Sequence, residues 1–317
     1  PCSGRVLHTL NLRLFPEQLT YIVNHAEDEV IFVDRSLLGL LVPRVGEFNT
    51  VKHIVVMDDG VPNEIPSFDG GPEVHDYEEL LAGAERTEFR CDDEWAAASM
   101  CYTSGTTGNP KGVTYTHRST YLHTMAAMLA DTIGVTEADV ILPVVPMFHA
   151  NAWGLAHAAV ASGAKLVQPG PDLSPGTLAR LIEEEKVTLA AGVPTIWMGV
   201  VEELEGRDTS ALRVVPCGGS AVPTSLSKRF EEVTGLPILQ AWGMTETSPV
   251  GSVAKVISSL EDSSEEKLDE LRASQGLPVL GVELRVVTPD GEQVPWDGET
   301  QGELQAAGPW ITNGYYN

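Results

Sequence analysis

Between residues 140 and 243 short β-branched runs alternate with longer amphipathic ones, and this alternation restricts the fold more than any other feature. "VILPVV" (140–145) precedes an expected helix near 151–162, and "AKLVQP" (164–169) precedes one near 175–185. "VTLAAGV" (187–193) leads to a helix near 194–205, "LRVVPCGG" (212–219) to one near 223–234, and "LPILQAWG" (236–243) follows. Strand, helix and strand in repeat argue an α/β fold, with mostly parallel sheets covered by helices on both faces.

The same grammar is present upstream. "PEQLTYIVNHAED" (16–28) carries apolar residues at 19, 22, 23 and 26 behind Pro16, a good first helical residue. "EVIFVD" (29–34), "VKHIVVMD" (51–58) and "AAASMCYT" (96–103) read as strands, 58–75 as a surface loop, and 118–133 as a helix. From about 277 the character changes. "VELRVVTPDGEQVPWDGETQGELQAAG" has strand-length runs broken by Asp-Gly turns, which predicts a C-terminal antiparallel β subdomain. The expected division is an α/β core over 1–276 and the start of a β subdomain over 277–317.

Forty-five acids against 20 bases give a net charge of −25. That field repels nucleic acid and anionic membrane surfaces, and no basic stripe is present. It also repels polyphosphates, so a phosphate site has to be built from local donors. The densest acidic run, "EDSSEEKLDELRASQG" (261–276), reads as an exposed helix with Ser263 and Glu266 as a capping box and Gly276 as its stop. No apolar run reaches the ~18 residues of a membrane helix, and "PCSGRVLHTL" lacks a basic-then-apolar signal pattern. Cys2, Cys91, Cys101 and Cys217 show no metal or redox spacing, so buried thiols in a reducing, cytoplasmic setting are expected.

The stretch "YTSGTTGNPKGV" (102–113) leaves the C-terminal end of the strand 96–103, where open α/β sheets bind ligands. Gly105, Gly108 and Gly112 permit close backbone approach and an anion nest. Thr103, Ser104, Thr106 and Thr107 add hydroxyls and Lys111 a charge, a set that fits a polyphosphate. It is not a Walker A loop, because Pro110 stands where the second Gly is required and Gly112 follows Lys111. Composition alone would also suit a Ser/Gly-rich surface loop.

"YTSGTTGNPKGV" resembles the phosphate-binding loop of the adenylate-forming (AMP-binding) superfamily of acyl-CoA synthetases, luciferases and peptide-synthetase adenylation domains. Four companions follow in family order: "PMFHANAWG" (146–154), "VPCGGSAVP" (215–223), "QAWGMTET" (240–247) and "GELQAAGPWITNGYYN" (302–317). Within the superfamily the chain is most similar to bacterial medium- and long-chain fatty acid–CoA ligases, with 3-methylmercaptopropionate–CoA ligases as close relatives. The resemblance implies an acid–thiol ligase that uses ATP, Mg²⁺ and CoA to activate a fatty or other small carboxylic acid. A homodimer is an assembly kept open.

By the same resemblance Thr103, Ser104, Gly105, Thr106, Thr107, Gly108 and Lys111 bind phosphate. Gly218, Gly219, Gln240, Ala241, Trp242, Gly243 and Thr245 surround the nucleotide, and Thr103 with Glu246 holds Mg²⁺. His149, Trp153 and Gly154 meet the acyl group, and the catalytic set is Lys111, His149, Thr245 and Glu246. Each has a plainer structural reading: a surface Glu, a hydrogen-bonded His, a core Trp. The small residues Ala156, Ala158 and Ala159 suit either an acyl chain or helix packing. A G-x-S-x-G elbow would need Gly at 222, where Val222 stands, so Ser220 is not read as a nucleophile. The family continues past "GYYN" to a ribose-binding Asp, a hinge and a catalytic Lys. The chain is therefore expected to be a large-domain core with little turnover alone. Alternatives are a short-chain acid ligase of the 3-methylmercaptopropionate type and a non-catalytic nucleotide- or acyl-binding fragment.

Overall fold

The computed structural model describes residues 1–103 and 108–317, which form two compact units. The first comprises residues 1–114 and 314–317, and the second residues 115–313.

In the first unit, β1 (Leu7–His8) precedes α1 (Pro16–His25), whose Pro16 occupies the first turn as expected. β2 (Val30–Asp34), the short α2 (Leu38–Leu41), β3 (His53–Met57) and β4 (Glu73–Asp76) follow. β2, β3 and β4 pair in parallel with β3 in the middle. Val23, Ile31, Leu38, Ile54 and Val56 fill the core on one side of this sheet. The segment 58–75 is not loop throughout, because its last residues begin β4, and α3 (Tyr77–Ala82) follows directly. Asp76 caps α3, its carboxylate accepting from the Glu78 and Glu79 N–H groups at 2.9 and 3.1 Å. The short, polar "EVHD" of β4 carries none of the apolar alternation by which strands are recognised. β5 (Ala97–Tyr102) joins β1 in parallel and neighbours β6 (Gly112–Thr116), which carries the chain into the second unit.

The second unit begins with α4 (His117–Met128), shorter than the predicted 118–133. After β7 (Val140–Pro143) the expected helix near 151–162 does not start at its N-terminal end. Residues Ala150–Trp153, labelled α5 here, are left-handed, with φ of 44, 51, 54 and 56°. The right-handed helix α6 (Leu155–Ser162) begins only after Gly154. β8 (Lys165–Leu166), α7 (Pro175–Glu184), β9 (Leu189–Ala191), α8 (Pro194–Leu204), β10 (Pro216–Cys217), α9 (Thr224–Thr234) and β11 (Leu239–Gly243) complete the alternation.

β8, β7 and β9 pair in parallel, isolated parallel bridges link Leu189 to Val214 and Gly192 to Cys217, and β10 pairs in parallel with β11. Successive side chains on β7 alternate between two cores. Leu142 packs with Leu178, Ile182, Trp197 and Phe230 of α7, α8 and α9, while Ile141 packs with Ala127, Leu155 and Ala158 of α4 and α6. Both faces are thus covered. Ala158 and Ala159 are fully buried in the second core, so helix packing claims them.

β12 (Val250–Val253) turns back antiparallel against β11 and pairs with β13 (Leu277–Pro278). Between them lies α10 (Glu265–Ala273), capped by Ser264 rather than Ser263, with the Ser264 hydroxyl accepting from Lys267 N–H at 3.3 Å. One residue later than expected, this cap puts Glu265 and Glu266 together in the first turn, facing the helix N-terminus. The helix ends at Ala273, short of Gly276. β14 (Glu283–Val287) and β15 (Glu303–Ala307) form an antiparallel pair, and Gly291 (φ 84°) makes the Asp-Gly turn after β14.

Cys101 and Cys217 are buried, but Cys2 and Cys91 are exposed, so only half of the expected buried thiols are buried. No helix among the described residues is long and apolar enough to cross a membrane.

Candidate active site

In the second unit three motif loops leave the C-terminal ends of parallel strands. "PMFHANAWG" follows β7, "GGS" follows β10 and "GMTET" follows β11. That is where open α/β sheets present ligand-binding loops.

Close backbone approach joins them. A Cβ on Gly218 would lie 2.7 Å from the Ala241 carbonyl oxygen and 3.5 Å from Cη2 of Trp153, so only glycine lets the β10 loop lie against β11 and the Trp153 ring. Gly243 is pressed against the Pro249 carbonyl in the same way. Gln240 is 1% exposed, and its side chain is fully engaged. Its Oε1 accepts from Val222 N–H at 2.7 Å, and its Nε2 donates to the carbonyls of Ala273 and Ser274 at 3.1 and 2.6 Å. The Gln240 amide therefore ties β11 to the β10 loop and to the end of α10. What Gln240 can offer a ligand is backbone.

"MTET" forms a tight 3₁₀ turn over Thr245–Thr247. The Tyr115 hydroxyl donates to the Thr245 carbonyl at 2.8 Å, and Thr312 N–H donates to the Glu246 carbonyl at 2.9 Å. Thr247 Oγ1 accepts from Met244 N–H at 2.8 Å, and Ser248 Oγ donates to the Trp310 carbonyl at 2.6 Å. The fifth motif, "GPWITNG", thus braces the turn that carries Thr245 and Glu246.

The turn Ala150–Trp153 is strained backbone. Four consecutive non-glycine residues in the left-handed region cost on the order of 1–2 kcal/mol each. Strain of this kind clusters at functional sites. His149 begins the turn with an exposed ring against Phe148 (centroids 4.7 Å), and Gly154 ends it at φ 72°. A Cβ on Gly154 would come within 2.8 Å of His123 Cε1 and Nδ1.

His123 lies outside the sequence motifs, and it proves central to the packing. It is 2% exposed, its Nε2 accepts from Val250 N–H at 3.2 Å, and it packs edge-on against Trp310. Burial, then the neighbouring His157, pushes its imidazolium down to about 3, so the ring is neutral. A small cavity lies beside it, lined by Thr120, Asn151, Gly154, His157 and Ser248. No sequence signal distinguishes His123 from other helical histidines, because its partners lie up to 187 residues away.

In the first unit, Thr103 and Lys111 clasp the neck of the glycine-rich loop. Thr103 N–H donates to the Lys111 carbonyl at 3.0 Å, and Lys111 N–H donates to Thr103 Oγ1 at 3.1 Å. Ser104, Gly105, Thr106 and Thr107 lie outside the described residues. Gly108 has φ 144° with open space around it, and the Lys111 ammonium stands 4.8 Å from the centre of the Tyr315 ring. Tyr316 N–H donates to the Gly112 carbonyl at 2.8 Å, and a Cβ on Gly112 would touch Tyr102 and Tyr316. "GYYN" therefore docks on the exit strand of the loop, joining the first motif to the last.

The AMP-binding enzyme family model matches residues 2–316. A long-chain-fatty-acid–CoA ligase of Thermus thermophilus is 48% identical over 318 residues, covering 100% of this chain and 57% of that protein. A 3-methylmercaptopropionyl-CoA ligase of Ruegeria lacuscaerulensis is 44% identical over 317 residues, covering 99% of this chain and 58% of its own length. The chain thus spans less than three fifths of these relatives. The crystal structure of a long-chain-fatty-acid–CoA ligase from Archaeoglobus fulgidus superposes with a TM-score of 0.79 at 26% identity, over 98% of this chain and 59% of that one. The ordered motifs, the strand ends that carry them and the match along nearly the whole chain lead to one conclusion: the chain belongs to the AMP-binding enzyme family.

Proposed function

We propose that this chain is the nucleotide- and acyl-binding core of an acid–thiol ligase that activates a fatty acid with ATP and passes it to CoA. The observation that carries this reading is the meeting of Gly218, the Ala241 carbonyl and the Trp153 ring at the C-terminal ends of β10, β11 and β7. In this reading a loop expected to surround the nucleotide lies against a residue expected to meet the acyl group.

In this reading a carboxylate oxygen bonds to the α-phosphorus of ATP as the bond to pyrophosphate breaks, giving an acyl adenylate. The thiol of CoA then attacks the acyl carbon, and AMP leaves. The first step demands alignment and charge stabilisation rather than a protein nucleophile. Lys111, the hydroxyls of Thr103, Ser104, Thr106 and Thr107, and the backbone of Gly105 and Gly108 take the phosphates. Gly219, Ala241, Trp242 and Gly243 flank the base, with Gln240 holding the wall. Thr245 lies beside the phosphates, His149 beside the reacting carboxylate, and Trp153 and Gly154 beside the acyl group. A hydroxyl and a carboxylate are hard oxygen donors that suit Mg²⁺, so Thr103 and Glu246 would hold the ion that neutralises phosphate charge. A cytoplasmic setting fits the two exposed cysteines, which are in no disulfide.

A short-chain acid of the 3-methylmercaptopropionate type is the second reading, favoured by the Ruegeria relative. Acid-dependent ATP–pyrophosphate exchange by the complete protein, across acids from propionate to palmitate, tests both. Exchange is expected with alkanoic acids. A strong preference for aromatic or amino acids, or no exchange with any acid, refutes the assignment.

A further inference from the structure

The edge of the first unit's β2–β3–β4 sheet carries a group that the ligase reading does not use. Glu73 and His75 are two residues apart on β4, so their side chains leave the same face. His53 on β3 is the register partner of Glu73, and Val55, two residues on, is the partner of His75. Pairing therefore sets all three on one side of the sheet, with two imidazoles and a carboxylate converging.

The converging atoms are His53 Nδ1, His75 Nε2 and Glu73 Oε2. They stand 3.1 Å (His53 to His75), 3.6 Å (His53 to Glu73) and 3.8 Å (His75 to Glu73) apart. The centre of the circle through these atoms lies about 2.0 Å from each, the bond length of Zn²⁺ to imidazole nitrogen and carboxylate oxygen. An ion about 0.5 Å out of that plane would sit about 2.1 Å from all three and keep a fourth position for water. Nearby cations are already engaged. Lys52 is paired with Glu29, and Arg35 lies 3.6 Å from Asp76 and 3.8 Å from Asp58.

We infer that His53, Glu73 and His75 form a binding site for a borderline divalent cation of the Zn²⁺ class. Two imidazole nitrogens exclude a site built for Mg²⁺ or Ca²⁺, which take oxygen ligands. The geometry admits a simpler alternative: one imidazole N–H donating to the other across 3.1 Å, with Glu73 as a surface counter-ion. The two states exclude each other at the proton, because coordination needs a lone pair on both facing nitrogens. A bound ion would fasten the edge strand β4 to β3.

The test is Zn²⁺ titration of the 317-residue chain against a chromophoric chelator, in a Cys2→Ser/Cys91→Ser background that removes the exposed thiols. One Zn²⁺ per chain is expected, unaffected by excess Mg²⁺. Affinity should fall roughly tenfold or more in His53→Gln, His75→Gln and Glu73→Gln, since even outer-shell partners are worth that much. Imidazole ¹⁵N spectra of the unsubstituted chain give a readout independent of variant folding. Zn²⁺ should shift His53 Nδ1 and His75 Nε2 selectively. Absence of one-to-one binding, equal affinity in the histidine variants, or no change at those two nitrogens overturns the site.

Discussion

Replacing Gly154 by alanine tests how the strained turn is anchored. Gly154 sits at φ 72°, where a Cβ costs about 1–2 kcal/mol. The new methyl would also lie 2.8 Å from two atoms of the His123 ring. That ring cannot step aside freely, because Val250 N–H holds its Nε2 and Trp310 packs against it. Overpacking of a filled core adds about 1–3 kcal/mol, for a total near 2–5 kcal/mol. Gly163, at the end of α6, supplies the control: its φ is 82°, but nothing lies within 4 Å of the point a Cβ would occupy. Gly163→Ala should therefore cost only the backbone share, about 1–2 kcal/mol. Urea unfolding of the two variants at neutral pH reads the difference directly. If they lose the same stability, the Gly154–His123 contact is not the anchor described here.

Other outcomes follow from the same reading. The buried His123 is held neutral, with its folded pKa near 3 and thus below the unfolded value. The stability it contributes is present above pH about 6.5 and is lost as pH falls toward 3, by up to about 1.4 kcal/mol per pH unit. His123→Asn should flatten that slope in acid unfolding curves. Burial would raise the Asp139 carboxyl, but Arg213 at 2.7 Å and Thr188 at 2.6 Å hold it well below the usual carboxylate range. Asp139→Asn should cost about 2–3 kcal/mol at pH 7, a penalty that shrinks as pH falls below about 3.9, as thermal unfolding at pH 7 and pH 3 would reveal. Ser264→Ala should lose about 1 kcal/mol and Ser263→Ala close to nothing, measured by urea unfolding.

Much of the fold is legible in the sequence because short, mostly apolar strands between 140 and 243 alternate with amphipathic helices. Leu142 and Ile141 serve opposite faces of one sheet, which is what a run such as "VILP" encodes. Signals failed where structure depends on distant contacts. The left-handed turn at Ala150–Trp153 has helix-forming residues, and tertiary packing overrides their propensity. β4 is polar and short, and its role emerges only from its pairing with β3. In the site, Gly218 and Gly243 are expected from the motifs to border the nucleotide. What they approach, the Ala241 and Pro249 carbonyls, is not legible there. Gln240 is the sharpest case, since its amide is spent on three backbone groups 18 to 34 residues away.

The most direct test of the nucleotide site is equilibrium binding of ATP with Mg²⁺ to the parent chain, Lys111→Ala and Glu246→Ala. Each substitution should weaken binding by roughly 1.5–3 kcal/mol, the worth of a hydrogen bond to a charged group. Affinity unchanged in both variants would contradict the assignment of Lys111 and Glu246 to the ATP phosphates and their metal.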